Sequence, residues 1–444
     1  MNLSPEAVAI GMFGTLFVVL FLGHPLAFSL GAVALLFGLI GWGGSPEILL
    51  GMFANKTYGV MDEYVLVAVP LFIFMAQMLD ASGVAEKLFH TMHVLWGPVR
   101  GGLGIAVIMV CTVFAASTGV VGATEVAIGL LAAPNLLRRG YDIPLTAGCI
   151  CAGGTLGILI PPSIMLVVYG GLTSISVGKL FAAAFLPGFL LSSLYMIYVA
   201  VRCGLNPELG PPLPKEERAF TALQKLGMVS TSLVPPLFLI AMVLGSIVTG
   251  VATTTEAAGL GAFGATILAI GYRKLSWNVV VEAAEATLKI TCMVMILFLG
   301  GNAFQSVFMG LGGGDAVSDL LLGLQVSPYV VLFIMMGIVF FLGMFIDWLG
   351  ILLIVIPIFT PVAAELGFDQ LWFGTLICVN LQMAFLTPPF GYSLFYLRGI
   401  APPEMTMVHI YKGVVPFIIL QWIGLISCIL YWPLIMWLPT RLFG

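Results

Sequence analysis

The chain has 444 residues, of which 61% are hydrophobic and only 8% charged, and its net charge is −4. A mean hydropathy of +1.15 is more apolar than any soluble core needs. The apolar runs are long and continuous rather than short and alternating, so the composition indicates a polytopic helical membrane protein and argues against a β-barrel. No basic block points to nucleic acid.

In chain order, apolar runs predict spans near 7–23, 26–43, 64–79, 102–116, 123–137, 144–172, 179–201, 230–248, 257–271, 290–309, 328–346, 351–364, 371–398 and 413–437. Several are too short or too broken to cross a bilayer alone. The N-terminus carries neither a basic n-region nor a small-residue cleavage site, so its first run is expected to be a retained membrane helix. Segments "VAEKLFHTMHVLW" (84–96) and "WNVVVEAAEATLK" (277–289) are amphipathic and are expected at the interface. The longest polar interval, Gly204 to Arg218, is rich in proline and charge. It divides the chain into a first half over 1–203, a cytoplasmic linker over 204–229 and a second half over 230–444. Cys111, Cys149, Cys151, Cys203, Cys292, Cys378 and Cys428 lie in or beside apolar segments and are expected as small buried hydrophobes rather than disulfides. His90 and His93 share a helical face, but no further ligands complete a metal site around them.

Two stretches break the apolar pattern. "GGTLGILIPPSI" (153–164) and "MAFLTPPFGYS" (383–393) each place adjacent prolines inside an apolar run. There each proline removes a backbone donor and clashes with the preceding turn. Pro388 lies 227 residues after Pro161, and the same offset carries Gly140-Tyr141-Asp142 onto Gly367-Phe368-Asp369, Pro134 onto Pro361 and Tyr169 onto Tyr396. The first three spans land on the three that follow the linker. A weaker likeness between 118–127 and 249–258 falls outside this register and is taken as local coincidence.

Charge orients the halves. Arg138-Arg139 follows the first predicted hairpin (102–137), whereas Glu365-Leu366 follows the second (328–364). Basic residues prefer the cytoplasmic side, so the hairpins are expected to open to opposite faces. Arg202, the Lys215/Arg218/Lys225 linker, Arg273-Lys274 and Arg398 then fall inside on a consistent trace. The fold expected is an all-α polytopic membrane protein of two inverted repeats, each with five crossings, one re-entrant hairpin and a broken helix (144–172 and 371–398), which is a transporter pattern.

Broken helices are tolerated where backbone lines a buried or watery cavity; half-helix N-termini can face an anion and unwound carbonyls a cation. Gly153, Gly154 and Gly157 free the backbone, and Thr155, Ser163 and Thr387 supply hydroxyls. The hairpin turns carry Ser117, Thr118, Gly119 and Gly122 in the first, and Gly343, Asp347 and Gly350 in the second. Asp347 could be a cation ligand, a proton-coupling group or a partner to a hairpin backbone N–H. Its position in the first half is Val120. Glu125 and Glu256 each follow a threonine near a helix start and are expected to cap. Asn380 and Gln382 could read substrate or bond between helices.

With these residues in view, "RRGYDIPLTAGCICAGGTLGILIPPSIMLVVYGGLTSISVGKLFAAAFLPG", "GVATTTEAA" and "NLQMAFLTPPFGYSLFYLRG" resemble the large membrane subunit of the tripartite ATP-independent periplasmic (TRAP) transporters, over essentially the whole chain. The resemblance implies an elevator-type secondary importer of organic acids, driven by Na⁺, in the bacterial inner membrane. It implies two partners, a small membrane subunit and a periplasmic substrate-binding protein, with Na⁺ as coupling ion and no other cofactor. No extra four-helix portion is expected ahead of this large subunit. Carried onto this chain, the cation positions are Ser117, Thr118, Gly119, Thr155 and Gly157 in one half and Gly343, Asp347, Thr387, Pro388 and Gly391 in the other. The anion is expected at Gly122, Pro161, Pro162, Ser163, Asn380, Gln382 and Pro389. The first hairpin tip, Ser117-Thr118-Gly119-Val120-Val121-Gly122, departs from the Gly-Ser-Ser type tip of many relatives. The nearest rival is a stand-alone Na⁺- or H⁺-coupled organic anion transporter of the same architecture. An intramembrane enzyme would need a nucleophile–base or metal constellation that the scattered His and Cys do not supply. Hairpins in inverted halves argue against a channel.

Overall fold

The computed structural model describes residues 4–119, 121–214, 220–389 and 391–444; Val120, and Lys215 and Arg218 of the polar interval, lie outside the described residues. Every regular element among the described residues is helical. The first half runs α1 (Pro5–Phe21), α2 (Leu26–Gly41), α3 (Pro46–Asp62), α4 (Ala68–Ala81), α5 (Val84–Trp96), α6 (Gly102–Thr118), α7 (Val121–Arg138), α8 (Ile143–Thr155), α9 (Ile164–Thr173) and α10 (Val177–Leu205). The second runs α11 (Ala222–Ser232), α12 (Val234–Val248), α13 (Thr254–Gly271), α14 (Trp277–Gly310), α15 (Gly313–Leu322), α16 (Pro328–Gly343), α17 (Trp348–Glu365), α18 (Gln370–Ala384), α19 (Tyr392–Ile400), α20 (Met407–Leu430) and α21 (Pro433–Phe443). Six helical stretches among the described residues are long and apolar enough to cross a bilayer unaided.

Helix bounds recur at the 227-residue offset. Val121–Arg138 falls on Trp348–Glu365, and the start of α8 on the start of α18, while α3 and α4 together fall on the single helix α14. The caps recur too: Asp142 Oδ1 accepts from the Leu145 N–H and Asp369 Oδ1 from the Trp372 N–H, both at 2.9 Å. Each cap satisfies a donor that the helix start leaves orphaned.

Two helices occupy the centre. Leu145 to Thr155 of α8 and Leu371 to Ala384 of α18 are buried throughout, as a helix apolar on all faces demands. α6, α7 and α20 enclose α8, while α16, α17 and α10 enclose α18. Around this core α4 packs on α13 and α2 on α14. Phe13 of α1 meets Phe304 and Phe308 of α14 edge-on at 5.7 and 5.5 Å, so the first helix is tied into the bundle.

Several elements differ from the sequence expectation. α3 is a helix that apolar periodicity did not reveal, because Asn55, Lys56 and Asp62 interrupt it and Leu49 is its sole buried residue among those described. α15 is a ten-residue helix behind a glycine run. The amphipathic segment 277–289 is not separate; with no Gly or Pro to interrupt it, it continues into the 34-residue α14. The run 413–437 is divided where Pro433 opens α21. The polar interval is docked rather than free over its first part: Gly101 N–H donates to the Gly210 carbonyl (2.9 Å), Leu213 N–H to Gly97 (2.8 Å) and Asp142 N–H to Leu209 (3.0 Å). α11 then begins beyond it, within the expected linker 204–229, on a capping box formed by Thr221 and Gln224. Of the two histidines, His93 stacks edge-on against Phe89 at 6.0 Å and His90 is exposed.

Candidate functional site

The first hairpin is α6–α7. Its hydroxyls serve the hairpin itself: Ser117 Oγ donates to the Phe114 carbonyl at 2.7 Å, and Thr118 Oγ1 bonds the same carbonyl at 3.0 Å and Thr124 Oγ1 at 2.8 Å. Gly119 ends α6 with φ +65°, and a Cβ built there would lie 2.7 Å from the Pro162 carbonyl oxygen. The turn of the hairpin therefore seats directly on the backbone of the first break, a contact that only glycine allows.

The second hairpin is α16–α17. Asp347 is the N-cap of α17, with Oδ2 accepting from the Leu349 N–H at 3.3 Å. Gly343 packs against Ala384 at the end of α18, and Gly350 against Leu26 and Ile346.

In the first break, α8 tightens into a 3₁₀ turn (Leu156–Ile158), passes the cis Pro161-Pro162 bond and restarts as α9. The second, between α18 and α19, carries the cis Pro388-Pro389 bond. Local hydrogen bonds occupy the hydroxyls: Ser163 donates to the Ile158 carbonyl, Thr155 to Ala152 (2.9 Å) and Thr387 to Met383 (2.7 Å). The Gly391 N–H donates to the Thr387 carbonyl at 3.1 Å. Gln382 Nε2 donates to Thr155 Oγ1 at 3.4 Å, linking the two broken helices across equivalent positions. Asn380 Nδ2 donates to the Met336 carbonyl at 2.7 Å, an interhelical bond. Gly157, Pro161 and Pro162 are buried in the first break; in the second, Pro388 is half-buried and Pro389 exposed.

Between these parts lies a cavity of about 100 Å³. It is lined by Gly119, Val121 and Gly122 of the first hairpin, Asp347 to Leu349 of the second, Ile158, Ile164 and Phe385 of the breaks, and Ile73 and Ile290 to Leu297 of α4 and α14. Both hairpin turns and both breaks thus meet at one space. A wider cavity of about 660 Å³ adjoins it, sharing Gly122, Ile290, Met293 and Tyr396 and extending along α7 to Leu131 and past Asp80 and Glu86. The N-terminal ends of α7, α9 and α17 all reach the smaller cavity. Orphan N–H groups and helix dipoles make such ends favourable for negative charge. Among the described residues no Lys, Arg or His lines either cavity.

Of the site residues named from sequence, Gly119, Gly122 and Asp347 line the cavity. Ser117, Thr118, Thr155, Ser163, Asn380 and Gln382 are buried around it and bonded within the protein. Ile73, the α14 face from Ile290 to Leu297, Asp80 and Tyr396 were not singled out. Tyr396 carried one signal, its match to Tyr169 at the 227-residue offset. Glu256 is a cap, paired with Thr253 in a capping box. Glu125 is not: it is fully buried and its carboxyl oxygens have no hydrogen-bond partner among the described residues. Packing of α8 and α19 over α7 turns it inward, away from the helix start.

Comparison with known proteins follows this geometry. Residues 13–434 match the family described as "Tripartite ATP-independent periplasmic transporter, DctM component". The chain is 33% identical to the C4-dicarboxylate TRAP transporter large permease protein DctM of Pseudomonas aeruginosa, over 80% of this chain and 82% of that one. It is 32% identical to the ectoine/5-hydroxyectoine TRAP transporter large permease protein UehC of Ruegeria pomeroyi, over 96% of this chain and 97% of that one. Among solved structures, the Alcanivorax borkumensis YdaH transporter superposes with a TM-score of 0.61 over 96% of this chain and 99% of its own, at 16% identity, a likeness of fold.

Gly119→Ala tests the contact at the centre of this site. The substitution combines an unfavourable φ with a clash against the Pro162 carbonyl. Solute uptake by the purified, reconstituted variant is expected to fall at least tenfold, and wild-type uptake would remove the hairpin–break contact from the working site.

Proposed function

The chain belongs to the DctM-component family of the tripartite ATP-independent periplasmic transporters, and on that premise we propose that it is the membrane-translocating subunit of a Na⁺-coupled importer of a small organic acid anion. Its relatives are transporter permeases rather than enzymes. Family membership implies a small membrane subunit and a periplasmic binding protein as partners; the bacterial inner membrane is the location this reading assigns. The substrate class follows the carboxylate-bearing solutes in the relatives' names.

The observation that carries this reading is the convergence of both hairpin turns and both breaks on one cavity. Three helix N-termini there favour an anion, and the acidic Asp347 beside them favours a cation. We read the halves as inverted repeats, which the recurrence of helix bounds and caps at the 227-residue offset supports. With Arg138-Arg139 on the cytoplasmic side, the wider cavity, which runs along α7 toward them, opens inward. The hairpins and broken helices form the moving body, and α4 and α14 the wall it slides against, in an elevator-type cycle.

Three outcomes test this. Uptake of a monovalent organic anion with two or more Na⁺ would gain about 2.3 kcal/mol per net charge per 100 mV. Reconstituted uptake should therefore need a Na⁺ gradient and rise with inside-negative potential; undiminished uptake on a proton gradient alone rejects the sodium coupling. Single cysteines at positions 139 and 366, on a background without the seven native cysteines, should be labelled by an impermeant thiol reagent from opposite faces. Labelling from one face rejects the inversion. Asp347→Asn keeps a competent cap but removes the charge, so the Na⁺ concentration for half-maximal uptake should rise severalfold. Unchanged Na⁺ dependence in well-expressed protein leaves Asp347 with its capping role alone.

A further inference from the structure

The first hairpin holds a carboxyl that lines neither cavity. Glu125 lies about one turn into α7, fully buried, and both of its oxygens lack a hydrogen-bond partner among the described residues. Its stem rests on α8, so closely that a Cβ built at Gly154 would come within 2.9 Å of the Glu125 Cβ. Ser393 of α19 and Cys151 of α8, both neutral donors, approach the carboxyl. Ser393 Oγ donates to the Cys151 carbonyl at 3.4 Å, and Cys151 Sγ donates to the Ser393 carbonyl at 3.9 Å.

Among the described residues no positive charge offsets it. The titratable groups facing Glu125 are Cys111 of α6, Cys151 of α8 and Tyr396 of α19, all of them neutral or anionic. Asp347, which acts on Tyr396 from the far side, is of the same sign. Arg398 of α19 turns to the Met405 carbonyl at 2.8 Å. Arg138 lies thirteen residues further along α7, about 20 Å at the helical rise. The equivalent position in the second hairpin is Leu352, also fully buried. The slot is thus an apolar one that in the first half happens to hold an acid. A bare carboxylate is untenable in such a slot, whereas a neutral carboxyl is affordable.

We propose that Glu125 is a proton-binding site: in this arrangement of α7, α8 and α19 its carboxyl is neutral, and uptake requires the proton it holds. The site is independent of which cation drives uptake, and its test does not rest on the sodium reading. Glu125→Gln copies the neutral form in shape. In lipid nanodiscs at neutral pH, the infrared difference between the wild type and E125Q should contain the carbonyl stretch of a protonated carboxyl. Reconstituted uptake by the wild type should fall on the alkaline side, while E125Q keeps its neutral-pH rate there. Carboxylate bands in the difference spectrum, or one pH profile shared by both proteins, overturn the proposal. Glu125→Met guards against misfolding of E125Q: a neutral carboxyl predicts that at least one of the two uncharged variants folds with a thermal midpoint close to wild type. Failure of both means that the charge itself is required, and this too overturns it.

Discussion

A peptide group left unpaired in hydrocarbon costs several kcal/mol, and the rest of the architecture follows from that penalty. The helical path is interrupted twice inside apolar runs, at 156–163 and after Ala384, so both breaks must be enclosed by protein or line a wet cavity. The hairpins supply much of that enclosure. Gly119 lays the turn of α6–α7 on the Pro162 carbonyl, and Gly343 brings α16 against Ala384 just before the second break. Hydroxyls that look in the sequence like an array of ligands serve backbone carbonyls instead: Ser163 takes up that of Ile158, and Thr387 adds a bond to that of Met383, which also accepts from the Leu386 N–H. Functional geometry and backbone satisfaction are therefore the same problem here, and a residue cannot be assigned to one without asking what it does for the other.

The halves match in element and cap but not in environment. Residues Leu156 to Tyr169 of the first break are buried, whereas Pro388 and Pro389 of the second are progressively exposed. Tyr169 is fully buried while its counterpart Tyr396 is 41% exposed on the cavity wall. Asp347 matches Val120, and Glu125 matches Leu352, so each hairpin holds a carboxyl where the other is apolar. The elevator-type cycle proposed above needs two halves similar enough to exchange roles and different enough to hold distinct charges. These pairs have that character.

Much of this was legible in the sequence because the proline pairs cannot be explained as ordinary helix interior, and one offset between them predicts every later match. Apolar run length located most spans for the same reason that bilayers select them. What stayed hidden depended on contacts between distant segments. α3 is polar enough to pass for a loop, and its helicity is visible only in the structure, where it matches the first part of α14. Glu125 looked like a cap because local spacing sees only its own helix start; its burial comes from α8 and α19, at sequence distances that no spacing rule covers. The cavity wall from Ile290 to Leu297 is plain apolar helix, distinguished only by what faces it.

Charge balance in the cavity links the two solutes of the proposed cycle. Three helix N-termini offer roughly half a positive charge each at close range, but α17 already has Asp347 on its own end, which cancels part of that field. An anion arriving alone would meet a carboxylate in a space of about 100 Å³ without any Lys, Arg or His to offset it. A cation arriving alone would meet the dipole ends of α7 and α9. Each solute lowers the cost of the other, and a coupling free energy of this kind is reciprocal. Obligatory co-transport then needs no dedicated interlock. In the proposed cycle it would follow from placing helix N-termini and one acid around the same cavity.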